Sequence, residues 1–107
     1  MSILRKHKKF LSTLRKGFQM TFENGLTASV QWGAGNYCEN HFTGDTTYMT
    51  DAESNNAEVV VMDSVGRFLN ANEFVPEEKQ DWMDDVVGWM TPDQVVEFLY
   101  NVKNARV

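Results

Sequence analysis

Phe18-Gln19-Met20-Thr21-Phe22-Glu23-Asn24-Gly25-Leu26-Thr27-Ala28-Ser29-Val30-Gln31-Trp32 contains two runs of period-2 alternation separated by Asn-Gly. Successive side chains of a strand point to opposite faces, so alternation of this kind marks two half-buried strands. Asn and Gly tolerate the positive φ angles of a type I′ turn, which suits a tight antiparallel hairpin. One face would carry Phe18, Met20, Phe22, Leu26, Ala28, Val30 and Trp32 and belong to the core. A hairpin this well marked sets an antiparallel sheet as the frame.

Downstream, Ala57-Glu58-Val59-Val60-Val61-Met62-Asp63 is β-branched and apolar, a third and central strand. Ser64-Val65-Gly66 is a turn, and Arg67-Phe68-Leu69 returns as a fourth strand. A helical turn is expected within 77–84, and Val86-Val87-Gly88-Trp89-Met90 forms a fifth strand or a packed loop. Thr91-Pro92-Asp93-Gln94 opens a helix: Thr91 as N-cap, Pro92 at the first position, Gln94 completing a capping box. Its apolar stripe is Val95, Val96, Phe98, Leu99 and Val102.

Upstream, Ile3, Leu4, His7, Phe10, Leu11 and Leu14 recur at three- and four-residue spacing, with Gly17 as a stop. That spacing predicts an amphipathic N-terminal helix or arm. The expected fold is therefore α+β: an antiparallel sheet of three to five strands with an N-terminal amphipathic helix and a capped C-terminal helix. At 107 residues it is one domain, with a basic segment at 1–17, a sheet region at 18–90 and a helix at 91–105.

The net charge of −5 is unevenly spread. Residues 1–17 hold six cations and no acid, whereas the other ninety hold four cations against all fifteen acids, a net of −11. Such a body repels phosphate backbones, so direct nucleic-acid binding is disfavoured. The single cysteine excludes an intrachain disulfide and fits a reducing cytoplasm. No secretory signal or membrane span is expected.

The candidate site follows the hairpin: Trp32, Gly33, Gly35, Asn36, Tyr37, Cys38, Asn40 and His41. The glycines permit a tight turn and close approach of a ligand, and successive amides there suit an anion-binding nest. The Asn side chains offer donor and acceptor pairs, while Trp32 and Tyr37 offer stacking faces. The competing reading is a packed corner in which the same residues only hold the turn. Cys38-x-x-His41 has metal-ligand spacing but supplies half of a closed zinc site. As a nucleophile pair it lacks a strong third member. No metal, cofactor or catalytic residue is expected. The carboxylates at Glu77/Glu78 and Asp81/Asp84/Asp85 lack a calcium-loop pattern and read as a solvated face.

Phe22-x-Asn24-Gly25-x-Thr27-x-Ser29-Val30-Gln31-x-Gly33-x-Gly35-Asn36-Tyr37-Cys38-x-Asn40, with Ala57-Glu58-Val59, Asp63 and Gly88-Trp89-x-Thr91-Pro92-Asp93-x-Val95, resembles a group of small proteins of tailed bacteriophages and prophages. The resemblance extends over residues 18–102. Members often carry Arg after the Asn matching Asn40, where this chain has His41, which weighs against a charged role there. The resemblance implies a non-enzymatic accessory protein of host takeover or anti-defence, acting in the host cytoplasm. Its implied partner is a host protein to be blocked or a small signalling nucleotide to be sequestered, and self-association into a homo-oligomer is compatible with either. Two alternatives stand beside it: a small enzyme using Cys38 or His41, and an interaction module acting through the basic N-terminal helix.

Overall fold

The structure is a computed structural model, and it describes residues 8–42 and 52–107. The described residues form an α+β domain: one antiparallel sheet of six strands with, among them, a single α-helix on one face. The strands are β1 (Phe10–Ser12), β2 (Gly17–Thr21), β3 (Thr27–Gln31), β4 (Ala57–Met62), β5 (Phe68–Leu69) and β6 (Val87–Met90), followed by α1 (Pro92–Asn104). Short 3-10 turns occupy Ala71–Glu73 and Glu77–Lys79. No helix among the described residues is long and apolar enough to cross a membrane.

The expected hairpin is β2–β3, with Phe18 opposite Val30 and Met20 opposite Ala28. Its turn differs from the I′ expectation. Gly25 alone is left-handed (φ 90°), and Gly25 N–H donates to Phe22 O at 2.9 Å, so the tip is a three-residue loop. Asn24 has a tertiary duty instead. Its Nδ2 donates to Val102 O (2.8 Å), Ala105 O (3.0 Å) and Lys103 O (3.3 Å), while its Oδ1 accepts from Leu26 N (3.0 Å). The hairpin tip thereby caps the carbonyl end of α1, whose last carbonyls lack partners within the helix.

The N-terminal amphipathic helix requires correction. Residues 1–7 of that segment lie outside the described residues, and Phe10–Ser12 is a strand paired with β2. The connecting turn has both central residues left-handed, Leu14 at φ 50° and Arg15 at φ 64°, closed by Lys16 N–H to Thr13 O at 2.9 Å. The period-3.6 spacing lost because a short isolated helix is marginal in water, whereas β2 offers an unpaired ladder edge at once. The sheet thus has one strand more than the upper expectation.

β4 is central, as its β-branched run implies. It pairs with β3 along one edge, and its other edge is divided between β5, against Val61 and Met62, and β6, against Ala57 and Val59. The core lies under α1: Leu26, Ala28 and Val30 of the hairpin, Val59 and Val61 of β4, Met90 of β6, and Phe98 and Val102 of the helix. Phe18, Phe22 and Trp32 of the expected apolar face are half-buried against it. α1 carries the expected capping box, with Gln94 N–H to Thr91 Oγ1 at 3.3 Å and Thr91 N–H to Gln94 Oε1 at 3.0 Å. Val96, assigned to the apolar stripe, is exposed.

Candidate functional site

The segment after β3 folds into a corner whose polar groups are largely spent on one another. Asn36 is its hub. Its Oδ1 accepts from Gly33 N (2.8 Å), its Nδ2 donates to Glu58 Oε1 (3.0 Å), and its backbone N–H donates to Gly33 O (3.1 Å). Tyr37 N–H donates to the second oxygen of Glu58 at 3.0 Å. One carboxylate of β4 therefore pins two successive residues of the corner, through bonds strengthened by its charge.

Asn40 Nδ2 donates to Trp32 O (2.7 Å) and Glu53 O (2.8 Å), tying the corner to both flanking segments. Glu39 clamps the run before β4: its N–H donates to Asn56 Oδ1 (2.7 Å), and its carboxylate accepts from Asn55 N (2.7 Å) and Nδ2 (3.2 Å). Gly35, at φ 85°, takes a left-handed conformation that favours glycine, and its N–H donates to His41 O at 3.1 Å. Each amide from Gly35 to Cys38 has an internal acceptor, which leaves no nest for an anion at these positions.

Cys38 is 1% exposed, with Sγ 3.7 Å from Gly33 O, so the thiol plugs the corner. His41 Nδ1 lies 2.9 Å from Asn36 O. A carbonyl only accepts, so Nδ1 carries the proton and Nε2 is the ring's remaining polar atom. Among the described residues no group of three or more His, Cys, Asp or Glu side chains is placed to hold a metal ion. Trp32 is half-buried, edge-on to Phe18 at 6.3 Å, and its Nε1 donates to Ala52 O at 2.9 Å.

The rings are what the corner presents outward. Tyr37 stacks on Trp89 with centroids 5.9 Å apart and planes within 11°, and His41 lies 5.4 Å from Tyr37 on a tilted plane. Phe42 meets His41 edge-on at 4.5 Å. Tyr37 is 38% exposed, Trp89 49% and Phe42 93%.

Trp89 joins this group through an irregularity in β6. Three residues of β4, Ala57 to Val59, face four of β6, Met90 back to Val87, the signature of a bulge. The bulge puts Trp89 at φ 51°, rare for a bulky residue, and its N–H donates to Tyr37 O at 2.8 Å. Gly88 makes the approach possible, since a Cβ there would fall 2.5 Å from Tyr37 Cβ and 2.6 Å from Tyr37 O.

Of the eight expected site residues, Trp32, Gly33, Asn36, Cys38 and Asn40 build the corner and Gly35 turns it. Tyr37 faces outward with Phe42 and Trp89, which sequence reasoning left out, as it did Glu58, and His41 is half-buried against Tyr37 and Phe42. A glycine inside a strand pattern signals a bulge or a close backbone approach, so Gly88 was the available pointer to Trp89.

No protein-family model, curated protein or solved structure matches the chain.

Proposed function

We propose that this chain is a small non-catalytic binding protein of the phage accessory type, and that it blocks a host protein by docking Tyr37, His41, Phe42 and Trp89 against it. The observation that carries the reading is an array of four rings, Tyr37, Phe42 and Trp89 exposed and His41 half-buried, on a corner whose own polar groups are largely spent on internal bonds. Aromatic residues dominate the energetic centres of protein interfaces. A corner held in advance by Glu58, Asn36 and Asn40 loses little conformational freedom on docking. The acidic body favours a partner with a basic rim. A nucleotide is the poorer fit, because both Asn36 amide atoms and both Asn40 Nδ2 hydrogens are engaged within the protein, and Glu39 and Glu58 place two carboxylates in the same corner.

The test is capture from bacterial lysate with the tagged chain, in parallel with Phe42→Ala and Trp89→Ala, followed by titration against the purified partner. A partner held by the parent chain, with affinity at least about tenfold weaker for each variant, supports the proposal. Equal binding by both variants overturns it, as does recovery of a bound nucleotide in place of a protein.

A further inference from the structure

We propose that the cavity between α1 and the sheet binds a neutral, largely apolar small molecule carrying one hydrogen-bonding end. The cavity measures about 370 Å³, inside the range of about 300–1,000 Å³ usual for ligand sites. Its floor is Phe18, Val30, Trp32, Ala57 and Met90 of the sheet, and Val95, Val96 and Leu99 form its helical wall. Ser54, Asn55 and Asn56 close a third side.

Three features define the occupant. Among the described residues no charged side chain lines the space, so a carboxylate or phosphate would enter without a counter-charge from them, at a large desolvation cost. The three polar residues are consecutive in the chain, and because Ser54 Oγ, Asn55 Nδ2 and Asn56 Oδ1 already bond within the protein, Asn55 Oδ1 and Asn56 Nδ2 are the side-chain atoms left to hold the polar end of an occupant, with apolar surface elsewhere. Phe18, Trp32, Val95 and Leu99 all pack on the core while remaining half-buried, and all four line the cavity. Protein interiors are close-packed, so a ligand in this space would extend the burial of these four side chains. The site is separate from the ring array, sharing with the corner only Trp32 and the 55–56 segment that Glu39 clamps.

The experiment uses the full chain, with methyl-labelled Val and Leu followed by NMR, titrated with 1-octanol and in parallel with octanoate at pH 7. Octanol is expected to give saturable shifts at the Val30, Val95 and Leu99 methyls with cross-relaxation to them, and octanoate to bind at least tenfold more weakly. Val96→Trp, at an exposed wall position, is expected to weaken octanol at least tenfold with the circular dichroism spectrum unchanged. Absence of saturable octanol shifts at those methyls overturns the proposal. So does octanoate binding as well as octanol, or undiminished octanol affinity in a folded Val96→Trp. Cross-relaxation locates the ligand in the unsubstituted chain, so the assignment stands or falls even if the variant does not fold. None of these outcomes involves Phe42 or Trp89, so the result is independent of the proposed docking surface.

Discussion

Replacing Gly88 with alanine tests the join between the sheet and the ring-bearing corner. Gly88 is not in the left-handed region, and an alanine in compatible backbone would by itself stabilise the fold by about 0.4–1 kcal/mol through the unfolded chain. The neighbours reverse that sign. The new Cβ would lie 2.5 Å from Tyr37 Cβ and 2.6 Å from Tyr37 O, and no rotamer moves either atom away. Carbon contacts settle near 3.5–4.0 Å, so the corner must retreat by about 1 Å. Overpacking of this kind costs about 1–3 kcal/mol. The 2.8 Å bond from Trp89 N–H to Tyr37 O would stretch beyond hydrogen-bonding range, adding about 1 kcal/mol. The net expectation is a loss of about 1–3 kcal/mol, and for a chain of this size each kcal/mol lowers Tm by about 4–8 °C. Urea melts give the stability, and the Trp89 indole resonance reports whether its ring still stacks on Tyr37. A variant at least as stable as the parent, with that resonance unmoved, would refute the reasoning.

Asn24→Ala removes three donor contacts to the end of α1 and should cost about 2–3 kcal/mol in urea melts. Asn24→Asp should cost more, since it sets a carboxylate against carbonyls at the negative helix end. Cys38 should resist a thiol reagent in the native state and react at the rate of unfolding, and Cys38→Ser should leave the ring array in place because a hydroxyl can also donate to Gly33 O. The Asp63 carboxyl lies below its ordinary value of 3.8, chiefly because it accepts from Arg67 N–H, with Val65 N–H and the Arg67 side chain adding to the effect. Its contribution should therefore be fully present above the ordinary value and fade as pH falls through the lower native value. Carboxyl NMR titration of the parent, with urea melts of Asp63→Asn at pH 7 and pH 2, checks both the shift and its sign.

The parts of the fold legible in the sequence are those decided by neighbours along the chain. Alternation from Phe18 to Trp32 marks β2 and β3, the Val59-Val60-Val61 run marks the central strand, and Thr91-Pro92-Asp93-Gln94 marks the start of α1. What stayed hidden depends on distant contacts. Phe10 and Leu11 fit a helical spacing yet lie in β1, because the edge of β2 was available to pair with them. Asn24-Gly25 resembles a type I′ turn, but Asn24 serves the far end of α1. At the candidate site the segment itself was legible from its glycines, asparagines and lone thiol. The division of labour within it was not, since Glu58 and Trp89 enter from strands distant in sequence.

The reach of Asn24 also bears on the order in which the molecule assembles. The β2–β3 hairpin is a local structure, able to form as soon as its fifteen or so residues are free, on a timescale of about 1–10 μs. Its tip acceptors lie 78, 79 and 81 positions away, near the end of the last helix. Until α1 docks, the Asn24 amide has only water for those bonds, and of its acceptors Val102 O has the Ala105 N–H besides water. A local element is thus completed by one far along the chain. Closing so long a loop is slow relative to local contacts, so the separation places helix docking after hairpin formation.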